Sequence, residues 1–149
     1  MESRTYLAFD FGERRIGVAV GNDLTESANA LLTIDAGTDE LRFKAITPLV
    51  DEWTPYAFVV GHPTHASGDA HAMTARAERF ARQLQGRFRR IAHLVDERYS
   101  SVDAVQALGR SKASGQQKKQ AIDSEAAAVI LRRFFESGMH HNITKPELS

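Results

Sequence analysis

The hydrophobic positions of this chain follow two spacings, one typical of strands and one typical of helices. Short runs rich in apolar and aromatic residues predict five β-strands, at 5–11, 16–21, 28–35, 56–61 and 91–95. Only the segment 12–15 (GERR) separates the first two runs, which predicts a hairpin. The run 56–61 is apolar almost throughout, as expected of a strand that is buried on both faces.

Apolar residues spaced three and four apart predict helices after these strands. Ile46, Leu49, Val50 and Trp53 form the first stripe. Pro48 lies within it, so this helix either begins near Thr47 or is longer and kinked.

Three further helices are predicted along the second half of the chain. They extend from Met73 to a stop near Gly86, from Ser100 or Ser101 through Leu108, and from about Asp123 to Glu136. The polar tract 110–120 predicts a mobile loop, and residues 139–149 predict a flexible C-terminal tail.

The predicted order, βββαβαβαα, is the order found in ribonuclease H-like domains. It predicts an α/β fold over residues 1–138, with a mixed five-stranded sheet whose three N-terminal strands are antiparallel and with helices on both faces. Right-handed crossovers place the later strands beside the first strand.

Composition narrows the class of protein. The chain has 149 residues, of which 42% are hydrophobic and 26% charged, which is ordinary for one globular domain. The absence of cysteine excludes disulfides and thiolate metal sites. No apolar segment approaches membrane-spanning length, so we expect a cytoplasmic protein without membrane association.

The overall charge is neutral, but its distribution is uneven. Nineteen Lys and Arg balance nineteen Asp and Glu, so the total charge gives no support to nucleic-acid binding. Basic residues nevertheless crowd two stretches, one containing Arg76, Arg79, Arg82, Arg87, Arg89 and Arg90, the other containing Lys112, Lys118 and Lys119. Basic stretches of this kind are usually solvated helix faces, but the second lies just before Asp123.

Three carboxylates stand at the ends of predicted elements that are far apart in sequence: Asp10, Glu97 and Asp123. Carboxyl ends of strands meet at one edge of an α/β sheet, so the three can converge. Converging carboxylates repel one another unless cations lie between them, and oxygen ligands suit Mg²⁺ or Mn²⁺. Two such ions, about 3.5–4 Å apart, support in-line phosphodiester hydrolysis. The alternative is that Asp123 caps a helix and Glu97 pairs with Arg98 at the surface.

Four segments resemble, in order and spacing, the motifs of the YqgF family, also called RuvX-like and described as Holliday junction resolvases. They are LAFDFGERRIGVAVG, VVGHP, VDERYSS and AIDSEAAAVIL, within residues 5–136. The resemblance implies a ribonuclease H-like, metal-dependent nuclease that processes the 5′ end of the 16S ribosomal RNA precursor. It also implies that Asp10, Glu97 and Asp123 are the metal-binding catalytic residues.

Basic residues near these carboxylates are candidates for contacts with phosphates. They are Arg14 and Arg15 in the hairpin turn, Arg98 beside Glu97, and Lys118 and Lys119 before Asp123. Each could equally be a solvated surface residue.

Other functions stay open from the sequence. Cleavage of four-way DNA junctions would require a dimer, and no dimer face is identifiable, so the chain could be a monomer or a weak dimer. A binding module for nucleic acid without turnover is a further possibility. The DFGERRIG segment also resembles sugar-kinase and actin-type ATPases, but 149 residues supply only one of their two domains. His62, His65 and His71 fit a solvated loop better than a zinc site.

Overall fold

The computed structural model describes residues 3–12, 14–62, 68–96 and 115–137. In chain order, the elements are β1 (Thr5–Phe11), β2 (Arg15–Asn22), β3 (Ser27–Asp35), α1 (Asp39–Trp53), β4 (Ala57–His62), α2 (Gly68–Phe88), β5 (Ala92–Asp96) and α3 (Gly115–Ser137). All five predicted strands are confirmed, with ends that differ by one residue. None of the described helices is long and apolar enough to cross a membrane.

The five strands form one mixed sheet in the order β3-β2-β1-β4-β5. β2 is antiparallel to both β1 and β3, whereas β1, β4 and β5 run parallel. The chain therefore leaves the sheet at its β3 edge, passes through α1 and returns beside β1. This is the predicted α/β architecture.

Alternating side chains of β1 divide the interior into two cores. Leu7, Phe9 and Phe11 belong to a core shared with α1 and α2, whereas Tyr6 and Ala8 belong to a core shared with α3. Because successive strand residues point to opposite faces, the sheet is covered on both sides, as predicted. Asp10 continues the row of Tyr6 and Ala8 and lies on the α3 face.

Helix α1 is the longer of the two alternatives left open by Pro48. It begins at Asp39, and the Thr38 side chain caps it by accepting a hydrogen bond from the Leu41 amide at 3.3 Å. Pro48 lies inside the helix, and the helix ends where Thr54 takes a left-handed conformation. The Thr38 cap and the burial of Phe43 and Ile46 stabilise the helix despite the proline within it.

The predicted stop of α2 near Gly86 is close to the observed end at Phe88, but the helix begins at Gly68, before the apolar stripe that starts at Met73. The predicted start of α3 was wrong. Helix α3 begins at Gly115 instead of near Asp123, so residues 115–120 are helical and do not belong to a loop. Gln and Lys are good helix formers, and this first part of α3 contains no apolar stripe that could have revealed it. The predicted helix after Ser100 and the tail 139–149 lie outside the described residues.

Candidate active site

Asp10 lies between two glycines in one row of the sheet. Its cross-strand partners are Gly17 on β2 and Gly61 on β4. Directly paired residues face the same side of a sheet, so two glycines border the partly buried Asp10 on the α3 face. The surface next to the carboxylate is therefore backbone, which allows another chain or a substrate to approach closely.

Helix α3 uses this space at Gly17. A Cβ atom on Gly17 would overlap the backbone carbonyl of Asp123 and would come within 2.8 Å of the Ser124 amide nitrogen. The helix backbone at Asp123 therefore rests directly on β2. Gly17 is paired with Asp10, and neighbouring strands are about 4.8 Å apart, so Asp123 reaches the sheet one strand away from Asp10.

Small residues extend this contact along β2. Ala19 is fully buried in the core beneath α3, and a Cβ atom on Gly21 would come within 2.7 Å of the Leu131 side chain. The alternation Gly17-Ala19-Gly21 thus forms a shallow seat for α3. It fixes the helix against the sheet and thereby fixes the position of Asp123.

Arg15 neutralises Asp123 in this structure. Its Nε donates to Asp123 Oδ2 at 2.8 Å, and both side chains are partly buried. Arg14 next to it donates to Asp35 Oδ1 at 3.0 Å, in an exposed ion pair. Both arginines that were predicted to contact phosphates are therefore engaged with carboxylates, and their contacts with phosphate stay a prediction.

The location of Asp123 corrects one interpretation of the sequence. Asp123 lies well inside α3 and does not begin or cap the helix. The ion pair between Asp123 and Arg15 cannot be predicted from the local sequence, because 108 positions separate the two residues. The role of Gly17 cannot be predicted from the sequence either. A glycine in a strand is identified as a packing site only once the helix that packs against it is known.

The other predicted site residues lie partly or wholly outside the described regions. Val95 on β5 is paired with Gly61 and so shares the row of Asp10. Glu97 and Arg98 follow the end of β5 and are not among the described residues. Lys118 and Lys119 belong to the first turns of α3 by their backbone. Within the part of the chain that the structure describes, no three His, Cys, Asp or Glu residues are grouped closely enough to hold a metal ion.

Solved structures define the class of fold. Thermus thermophilus RuvC in complex with a Holliday junction substrate is similar with a TM-score of 0.56 at 13% identity, over 92% of this chain and 96% of that one. The fowlpox virus Holliday junction resolvase is similar with a TM-score of 0.54 at 9% identity, over 89% and 99% of the two chains. The fold is therefore ribonuclease H-like, of the type seen in these resolvases.

Sequence comparison then gives the family. Residues 4–137 match the family described as RuvX, Holliday junction resolvase. A Burkholderia vietnamiensis protein named "Putative pre-16S rRNA nuclease" is 50% identical over 137 residues, which is 92% of each chain. A Methylobacillus flagellatus protein of the same name is 48% identical over 130 residues, 87% of this chain and 89% of that one. The chain belongs to the RuvX family, which confirms the resemblance in the sequence motifs.

Proposed function

We propose that this protein is a metal-dependent nuclease that hydrolyses phosphodiester bonds at the 5′ end of the 16S ribosomal RNA precursor. Membership of the RuvX family and the names of the relatives support a nuclease. The observation that carries the proposal is the approach of Asp123 to the strand beside Asp10, through Gly17. This approach supports the proposal because it puts the backbone of Asp123 beside the strand next to Asp10, and the family resemblance implies both residues as metal ligands.

The chemistry of these residues fits a hard divalent cation. Asp10 and Asp123 offer only oxygen donors, which Mg²⁺ and Mn²⁺ prefer. Arg15 pairs with Asp123 in this structure, so a metal ion that binds Asp123 would share or replace this contact. Asp10 and Asp123 would hold the metal with Glu97 as the third ligand. Two bound ions would supply activation of water and stabilisation of the leaving oxygen.

The residues around the carboxylates contribute position and access. Helix α3 covers Gly17, but Gly61 on the other side of Asp10 has no side chain, so a scissile phosphate can approach the carboxylate over the backbone of β4. Arg15 holds Asp123 through one of its five N–H donors and keeps others for a phosphate oxygen. The site therefore combines carboxylates for cations with a guanidinium for the substrate.

The test is the exchange Asp10→Asn, with Asp35→Asn as its matched control. Both remove one carboxylate from the end of a strand, but Asp35 pairs with Arg14 at the exposed edge of the sheet. We expect Asp10→Asn to lower the turnover of precursor rRNA fragments in Mg²⁺ or Mn²⁺ by at least ~10²-fold, roughly 2.7 kcal/mol of barrier. Asp35→Asn should cleave at the wild-type rate. Near wild-type cleavage by a folded Asp10→Asn protein, verified by thermal melting, would reject the proposal.

Cleavage of four-way DNA junctions is the second candidate, favoured by the description of the family. A panel of single-stranded RNA, precursor rRNA fragments and four-way junctions, each with and without Mn²⁺, separates the two. Junction resolution also requires two active sites in one assembly. Paired, symmetric cuts by a dimer would identify the resolvase activity, and cuts in precursor RNA by a monomer would identify the ribonuclease.

A further inference from the structure

Arg15 is the first residue of β2 and lies at the edge of the sheet where β1 ends. Asp10 is paired with Gly17, so Arg15, two residues before Gly17, is the diagonal neighbour of Asp10 on the same face of the sheet. A long side chain can reach across such a diagonal. The Arg15 side chain therefore starts beside Asp10, and it ends on the carboxylate of Asp123.

The contact with Asp123 uses only part of the guanidinium. The Nε atom of Arg15 donates to Asp123 Oδ2 at 2.8 Å, which leaves both terminal amino groups outside this bond. Within the described parts of the chain, the Arg15 side chain forms no other hydrogen bond or ion pair. The side chains of Arg15 and Asp123 are 39% and 23% exposed. An ion pair with this much access to water is weak enough to be exchanged for another partner.

Arg15 and a divalent cation would compete for the same carboxylate. The resemblance to the YqgF family implies Asp123 as a metal ligand, and Asp123 Oδ2 is the atom that accepts from Arg15. A guanidinium and a metal ion that share one carboxylate also repel each other. The substrate brings a replacement partner, because the planar fork of a guanidinium binds a phosphate as well as it binds a carboxylate.

We propose that Arg15 passes from Asp123 to a phosphate of the substrate strand when a divalent cation binds Asp123. This step rests on the proposed nuclease function. While Asp123 holds the guanidinium, its negative charge cancels much of the attraction of Arg15 for a phosphate. Once released, the guanidinium adds a positive charge beside Asp10 in a protein of zero net charge. Arg15 is thus a positioning residue that couples the binding of metal to the binding of substrate.

The first test measures Mn²⁺ binding by electron paramagnetic resonance in the absence of RNA. Arg15→Gln is compared with Arg14→Gln, which removes the same charge from the neighbouring residue, whose partner is Asp35. We expect Arg15→Gln to bind Mn²⁺ roughly two- to fivefold more tightly than the wild type, because the cation no longer displaces a guanidinium. Arg14→Gln should change the affinity clearly less. Equal affinities of the two variants, or weaker binding by Arg15→Gln, would overturn the proposal.

The second test measures binding of a fluorescent single-stranded RNA in EDTA and in Ca²⁺. Ca²⁺ takes oxygen ligands at longer distances than Mg²⁺, and readings within seconds of mixing, with a gel of the RNA, verify that the strand is intact. The wild type and Arg14→Gln should bind RNA more tightly in Ca²⁺ than in EDTA. Arg15→Gln should lose roughly two- to fivefold of this gain, and Arg15→Lys, which keeps the charge, should recover part of it. An undiminished gain in Arg15→Gln would show that Arg15 does not pass to the substrate.

These measurements separate the exchange of Arg15 from the nuclease function. Cleavage of precursor RNA by the wild type, with equal Mn²⁺ affinities of Arg14→Gln and Arg15→Gln, would leave the nuclease intact and reject the exchange. Tighter Mn²⁺ binding by Arg15→Gln and loss of its gain in Ca²⁺, in a protein that cleaves nothing, would retain the exchange and reject the nuclease. A wild type that binds no Mn²⁺ would reject both. Thermal melting verifies that each variant is folded.

Discussion

Gly17 sets how closely α3 approaches the sheet beside Asp10. The backbone of Asp123 occupies the space in which any side chain at position 17 would lie. Asp10, Gly17 and Asp123 therefore depend on one another, although only two of them carry a functional group. The Arg15–Asp123 ion pair adds a second, electrostatic restraint on the same turn of the helix.

The exchange Gly17→Ala tests this dependence at the level of one methyl group. The added carbon forces α3 away from β2, and overpacking of this kind costs about 1–3 kcal/mol of unfolding free energy. Gly86→Ala is the matched control, because open space surrounds Gly86 in α2 and alanine there should stabilise the helix by up to about 1 kcal/mol. Urea unfolding measures both. Equal stability of the two variants would show that α3 is not seated on Gly17.

At the level of elements, β5 and α3 meet through His93. The imidazole lies on the α3 face, with its ring centroid 5.1 Å from that of Phe134. Its Nε2 atom is buried and has no hydrogen-bond partner among the described residues. Burial disfavours the charged form and lowers the pKa of His93 below its usual 6.5.

This lowered pKa makes the contact between β5 and α3 sensitive to acid. In the unfolded chain His93 takes up a proton near pH 6.5, whereas in the folded protein it does so only at lower pH. The contribution of the neutral, buried His93 to the unfolding free energy is therefore complete above pH 6.5 and is lost as the pH falls through the lowered pKa. When the pH is lowered from about 6.5 to 5, the unfolding free energy of the His93→Leu variant should therefore decrease less than that of the wild type. Urea unfolding measures the difference, with values at about pH 8 as the baseline. Parallel curves for the two proteins would contradict the prediction.

At the scale of the whole molecule, two cores share one sheet, and β1 belongs to both. Tyr6 shows this central position, because it is fully buried and its ring lies 5.6 Å from Phe134 and 5.4 Å from Phe135. Burial, with a smaller contribution from the charge of Asp23, raises the pKa of Tyr6 to about 12. Ionisation of the Tyr6 hydroxyl is therefore expected to destabilise β1, the strand that contributes side chains to both cores.

Alkaline unfolding tests the role of Tyr6. The unfolded tyrosine ionises at about pH 10 whereas the folded one stays neutral to about 12, so its contribution is complete below pH 10 and is lost as the pH rises to 12. Tyr6→Phe should retain more unfolding free energy than wild type over this interval. Tyr56→Phe removes a neighbouring, partly exposed hydroxyl and controls for the general effect of high pH. If both variants unfold in alkali as the wild type does, Tyr6 is not the sensitive group.

The sequence by itself determined the strands, their order and the class of fold. Short apolar and aromatic runs, helical stripes and turn residues are local properties, and the runs located the ends of β1 to β5 to within one residue. The resemblance of the motifs to the YqgF family was also sufficient to predict the RuvX family. The start of α3 could not be predicted, because its first turns carry no apolar stripe and leave only weak propensity to reveal them.

Only the tertiary structure decided which residues meet. Arg15 lies 108 positions from Asp123 in the chain, and Asp39 on α1 is hydrogen-bonded to Gln83 on α2, 44 positions further along. Spacing along the chain cannot predict such contacts, because the crossover of α1 and the register of β1 with β2 and β4 set them. The same register puts Gly17 and Gly61 on either side of Asp10, since directly paired residues share one face of a sheet. There Gly17 makes room for the backbone of α3, and Gly61 adds no side chain next to the carboxylate.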